Sequence, residues 1–175
     1  MTDAMLADRV LRLEARDEIC ALMAQYLYLA DRDPDPDKIA ALFAEDAIWE
    51  PRGNLAVGQQ VSRGRAQIRE LFVGLPKLLT FAAHYITNAV VDVAEDATSA
   101  HGRWHTFELI GRDEPKQQIV QLAWYENDFT RVDGRWLIQH IRFEDTLSFP
   151  YLEGWGETRF VSLVTGELVP HPGWA

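Results

Sequence analysis

The sequence predicts an α+β domain, helices first and a long antiparallel meander after them. Three observations predict it. Apolar residues between positions 6 and 30 (Leu6, Val10, Leu13, Ile19, Leu22, Met23, Tyr26, Leu27, Ala30) recur at spacings of three and four, with Arg12, Arg16 and Glu18 between them. Four later stretches, residues 85–93, 98–110, 118–131 and 135–147, are rich in β-branched and aromatic side chains. Their separators carry turn residues, and Asp133-Gly134 is a strong short-hairpin signal.

The elements follow in order. The first helix ends where Asp31-Arg32-Asp33-Pro34-Asp35-Pro36-Asp37 brings two prolines, each lacking a donor and restricting the residue before it. A second helix is expected over 37–44, with Ile39, Leu42 and Phe43 inward, and a third from Gly64 through Leu75, ended or bent at Pro76. Residues 47–50 and 55–61 read as short strands joined by the Gly53-Asn54 turn. The meander then curls around the packed helices, and its open end leaves a cavity suited to a small apolar ligand. Residues 1–147 form the domain. Residues 148–175 are a tail holding Tyr151, Trp155, Phe160 and Trp174, which caps the cavity or packs on a neighbouring subunit.

Composition narrows the function classes. The 175 residues suit one domain, and 47% apolar with 25% charged residues is ordinary for a globular chain. A net charge of -10 disfavours nucleic acid and anionic membrane surfaces as partners. No apolar run approaches the ~20 residues that span a bilayer, and the first nine residues lack a signal-peptide pattern. A lone Cys20, placed in the apolar pattern of the first helix, fits a core position and a reducing, cytoplasmic setting. Six Trp, five Tyr and eight Phe exceed what a small core needs and point to an aromatic-lined pocket or an interface. Apolar residues on an outer sheet face, Val120, Leu122 and Trp124 or the alternate set, need cover, so a homodimer or homotrimer is expected.

Several polar residues could carry chemistry. His84 follows the apolar segment 78–83, where an imidazole can have its pKa moved and serve as a base, or be a hydrogen-bonded structural residue. Asp31 ends the first helix, where its charge opposes the helix dipole and needs a partner or water. Period-two alternation puts Arg103, His105, Phe107 and Leu109 on one strand face and Trp136, Ile138, His140 and Arg142 on another. Zinc is a rival use for His84, His105 and His140, but no Cys pair, His-Glu-x-x-His or short His spacing supports it. Neither a phosphate-binding Gly-rich loop nor a Ser nucleophile elbow is present.

Three segments together resemble the SnoaL-like branch of the nuclear transport factor 2-like superfamily. Residues 19–47, ICALMAQYLYLADRDPDPDKIAALFAEDA, hold a helical Tyr, an Asp five residues later and LFxxDA. Residues 84–109, HYITNAVVDVAEDATSAHGRWHTFEL, hold His-x-x-Thr-Asn and a second strand. Residues 133–144, DGRWLIQHIRFE, hold a last hairpin with Gly-x-Trp and a downstream Arg. The resemblance implies a cone-shaped barrel, a curved antiparallel sheet wrapped around three N-terminal helices with an apolar cavity inside. It implies an Asp–His dyad at Asp31 and His84, with Tyr26, His105 and Arg142 handling the leaving group or a developing anion. Trp49 would line the cavity, and Phe107 and Tyr125 are expected to contact substrate with it. It implies no cofactor and no metal. The expected activity is a cofactor-independent, dehydratase-type elimination on an apolar, aromatic hydroxylated molecule, as in aromatic-compound catabolism, with or without coupled carbon–carbon cleavage releasing formaldehyde. The fold also serves isomerases, polyketide cyclases, ligand carriers and subunits of larger complexes, so the site must decide.

Overall fold

The computed structural model describes residues 2–154 and 160–168. Among them lie three α-helices, α1 (Asp3–Arg32), α2 (Pro36–Ala40) and α3 (Gly64–Gly74), and six strands, β1 (Phe43–Arg52), β2 (Ser62–Arg63), β3 (Leu79–Val93), β4 (Ser99–Arg112), β5 (Gln117–Val132) and β6 (Arg135–Pro150). They form one curved, open sheet in the order β2-β1-β6-β5-β4-β3. The meander β3 to β6 is antiparallel, as the turn residues predict. The expectation of an antiparallel sheet throughout is corrected at one seam: β1 lies parallel to β6. The long excursion through α3 and the meander brings the chain back in the same direction beside β1.

Local chemistry explains the helix ends. The Thr2 side chain accepts from the Met5 N–H at the start of α1, and Asp35 caps α2 just before Pro36. From Ala15 onward α1 buries one face, through Ala15, Ile19, Met23, Tyr26 and Leu27. Leu6, Val10 and Leu13, expected in the buried stripe, are exposed. Cys20 is partly exposed rather than in the core. α2 is shorter than expected, since Phe43 already starts β1. The strand expected over 55–61 is instead a 3₁₀ turn at Gly53–Ala56 followed by loop, with β2 starting only at Ser62.

The core fills the concave side, where Phe43, Ile68, Ile138, Ile141 and Phe129 are almost fully buried. Beyond position 147 the sheet continues to Pro150, and Phe160 and Val161 are buried. Val161 and Leu168 pair across a small hairpin. Trp155, Trp174 and the other residues of 155–159 and 169–175 lie outside the described residues, His171 among them. No helix of the described residues is long and apolar enough to cross a membrane.

Candidate active site

The last turn of α1 delivers the first functional group. The Asp31 carboxylate accepts from the His84 backbone N–H at 2.8 Å and meets His84 Nδ1 at 2.5 Å. This bond gives Asp31 the partner its position at the helix end requires. It also sets the tautomer: Nδ1 carries the proton toward Asp31, and Nε2 faces the cavity. Both side chains are largely buried.

His84 sits within β3 rather than at its start, and its register partner on β4 is Glu108. Glu108 Oε2 stands 3.7 Å from His84 Nε2. The carboxyl is 1% exposed and accepts from Thr106 Oγ1 at 3.0 Å and Gln121 Nε2 at 3.3 Å. Burial pushes the Glu108 pKa above the usual carboxylate value; the nearby imidazole and the Thr106 bond pull the other way and lose. For His84, burial works against the charged form, but the Glu108 carboxylate and the Asp31 bond outweigh it and raise the pKa.

Two tyrosines close the polar cluster. The Tyr26 hydroxyl accepts from Trp49 Nε1 at 3.2 Å. Tyr26 and Tyr125 meet edge to face, with centroids 6.5 Å apart, and Tyr125 stacks on Phe143 at 4.6 Å. Burial holds both phenols well above their ordinary pKa, so they remain donors at neutral pH.

These residues surround a cavity of about 510 Å³, with Tyr26, Asp31, Trp49, His84, Glu108 and Tyr125 on its polar side. Leu55, Phe72, Ile110, Phe143 and Leu163 supply an apolar lining. That volume and lining suit a molecule of one to a few rings.

Three residues expected here lie elsewhere. Alternation groups Arg103, His105 and Phe107 correctly, but that face of β4 points outward; Trp104, Thr106, Glu108 and Ile110 face in. His105 meets Asn88 at 2.7 Å and the Trp124 ring at 4.0 Å on the convex side, and Phe107 packs beside Tyr85 there. Arg142 is also outside. A bulge inserts Gln139 between Ile138 and His140 relative to β5, which reverses the alternation. Trp136 and Ile138 therefore face in, while His140 and Arg142 face out, in an ion-pair chain with Glu50 and Asp128. Glu108 is the ionisable cavity residue that the sequence reading missed. The run His101, Arg103, His105 marked its own face as the wet one and the alternate face as interior.

The SnoaL-like domain family model matches residues 11–142. The chain belongs to the SnoaL-like family. Solved structures agree on the fold. A scytalone-dehydratase-like protein from Novosphingobium aromaticivorans DSM 12444 is 22% identical, with a TM-score of 0.71, over 82% of this chain and 91% of that one. A hexachlorocyclohexane dehydrochlorinase, LinA-type3 of Novosphingobium barchaimii LL02, is 22% identical with a TM-score of 0.73, over 87% and 98%. ActVI-ORFA of Streptomyces coelicolor is 16% identical with a TM-score of 0.59, over 74% and 96%. No curated protein matches the sequence. At these identities the likeness shows the fold and leaves the chemistry to the residues.

Proposed function

We propose that the SnoaL-like chain is a lyase that eliminates water from an apolar hydroxylated molecule, with His84 as base and Glu108 as acid. The observation that carries this reading is the pairing of two buried ionisable groups 3.7 Å apart on one cavity wall, an imidazole bonded to Asp31 and a carboxyl whose pKa burial raises. His84 Nε2 takes a proton from carbon while Asp31 stabilises the imidazolium, help worth about 10²–10⁴-fold. The C–H electrons form the double bond, the C–O bond breaks, and Glu108 gives its proton to the departing hydroxide, which leaves as water. The imidazolium then faces the new carboxylate, and the abstracted proton passes to Glu108, restoring both groups. Since acid and base share a wall, hydrogen and hydroxyl leave from the same face of the substrate. That likenesses in the fold include a dehydratase-like protein and a dehydrochlorinase, both named for eliminations, supports the class.

The aromatic lining favours an aromatic or polycyclic substrate, and loss of hydroxide from a benzylic carbon would also permit release of formaldehyde. A second reading is isomerisation through an enolate, supported by the buried Tyr26 and Tyr125 hydroxyls, which can stabilise a developing oxyanion. A cytoplasmic setting and a homo-oligomer go with either reading, the latter motivated by exposed Tyr85, Phe107, Leu122 and Trp124 on the convex face.

The test is mass spectrometry of wild type and His84→Ala with a panel of hydroxylated aromatic and polycyclic compounds. Loss of 18 mass units with wild type and not with His84→Ala is the expected result; loss of 48 identifies the cleaving variant. An unchanged mass with a changed proton spectrum replaces elimination by isomerisation. Turnover retained in His84→Ala overturns the assignment of the base.

A further inference from the structure

One row of inward-facing residues crosses the sheet at the site. His84 on β3, Glu108 on β4, Gln121 on β5 and Ser148 on β6 are successive register partners. The last three are almost fully buried. The Gln121 carboxamide uses only one of its two ends. Its Nε2 donates to Glu108 Oε2 at 3.3 Å, while its Oε1 is buried with no partner among the described residues. Ser148 gives its hydroxyl proton to the Val161 carbonyl at 3.4 Å and so does not supply the missing donor. A buried acceptor left unpaired is costly.

Glu108 can remove that cost. A carboxylate only accepts, whereas a protonated carboxyl also donates one O–H. An amide carries both kinds of end, of nearly equal size, and a half-turn exchanges them. The observed orientation serves an ionised Glu108; the reverse orientation serves a protonated one. The Thr106 hydroxyl donates to the other carboxyl oxygen at 3.0 Å. The titratable groups around the carboxyl are His84 from β3, Asp31 and Tyr26 from α1, Tyr125 from β5 and Asp145 from β6. The two aspartates oppose ionisation of Glu108, and His84 Nε2, at 3.7 Å, is too far to hold its proton.

We infer that Gln121 is a positioning residue for Glu108, and that its carboxamide turns with the proton. Nε2 donates to the carboxylate; after a half-turn Oε1 accepts from the acid, and Nε2 is free to donate to the Ser148 lone pairs. The consequence for turnover rests on the proposed lyase site; the coupling itself does not. In that cycle a carboxyl set in a dry wall gives up a proton and regains it, with a partner in both states. The bond to the carboxylate is charge-assisted and the bond from the acid is not, so on balance Gln121 favours the ionised form.

The experiment uses the full chain without ligand. The Glu108 carboxyl carbon is followed by ¹³C NMR across pH and assigned by its loss in Glu108→Gln. Gln121→Met keeps the length of the side chain and removes both hydrogen-bonding ends. The Glu108 midpoint is expected to rise by about one pH unit or more. A midpoint unchanged or lowered in the folded variant overturns the inference. Should Gln121→Met fail to fold, wild type decides alone. The Gln121 Nε2 protons, assigned through bonds, must shift with the Glu108 midpoint and lie furthest downfield when Glu108 is ionised; signals that stay still through that titration overturn the coupling. Turnover of the hydroxylated compounds separates the two readings. In Gln121→Met the high-pH fall in kcat/KM should move up with the carboxyl midpoint. A midpoint that moves while that fall stays in place keeps Gln121 in its role and removes Glu108 as the acid. The carboxyl midpoint decides on Gln121 even where no compound turns over.

Discussion

His84 and Glu108 are register partners across β3 and β4, and their side chains meet at the cavity wall with Nε2 and Oε2 3.7 Å apart. Two ionisable groups this close titrate as one unit. The proposed elimination needs one proton on the pair, on Glu108, with Nε2 free.

The pH profile follows with its sign. At low pH the pair holds two protons and the base is blocked; at high pH it holds none and the acid is spent. Because both pKa values are raised, kcat/KM should be bell-shaped, its acid limb above 4.5 and its alkaline limb above 6.5. Glu108→Gln keeps the shape of the side chain but cannot release a proton. Its residual rate should rise to a plateau, through a midpoint below the wild-type alkaline limb, since the charge that raised His84 is gone. A bell retained in Glu108→Gln would remove Glu108 from the chemistry.

Asp31→Asn removes the negative charge beside the imidazolium while leaving an oxygen for the His84 N–H. Turnover should fall by about 10²-fold or more with KM little changed. Steady-state kinetics with circular dichroism as a folding check would test this.

Arg142→Ala and His105→Ala alter the convex face only. Turnover is expected to stay within about 3-fold of wild type, and thermal unfolding to report a loss of about 1 kcal/mol for the half-buried Arg142–Asp128 pair. A large fall in kcat with ligand affinity kept would mean that these side chains reach the reaction after all.

Tyr26→Phe leaves the Trp49 N–H without its acceptor in a buried place. The expected cost is about 1–3 kcal/mol in denaturant unfolding. Activity should fall as well if the hydroxyl supports a developing oxyanion.

Asp145 gives a pH effect on stability. Its Oδ1 accepts from the backbone N–H groups of Asn54 and Leu55 at 3.1 and 3.2 Å, and burial raises its pKa from 3.8 to about 6. A folded-state pKa above the unfolded value means the folded form binds more protons, so stability falls as pH rises from about 4 to about 6. The loss is on the order of 2–3 kcal/mol. Asp145→Asn should flatten that window in urea unfolding series, and an unchanged slope would assign it to another group.

Much of the fold and half of the site were legible in the chain. Helix periodicity, prolines and Asp133-Gly134 located the elements, and the loose motifs carried Tyr26, Asp31, Trp49 and His84 to one place because each is fixed by a local feature. Alternation sorted β4 into two faces but could not say which was concave. That sign depends on how the whole sheet curls around α1. It hid Glu108, a residue type that reads as solvent-facing, behind His105 and Phe107. On β6 one extra residue, Gln139, reversed the phase, and a bulge of this kind has no signature in the hydropathy pattern.

The parallel seam between β1 and β6 constrains how the protein comes to exist. β1 docks on a strand some 90 residues later, so the wall holding Trp49 has no long neighbour until the final hairpin has emerged. Such non-local closure is slow, since the loop must be ordered before the contact rewards it. During synthesis the aromatic lining of the cavity stays open to other chains until β6 arrives. For this protein, completing the pocket and escaping aggregation are the same event.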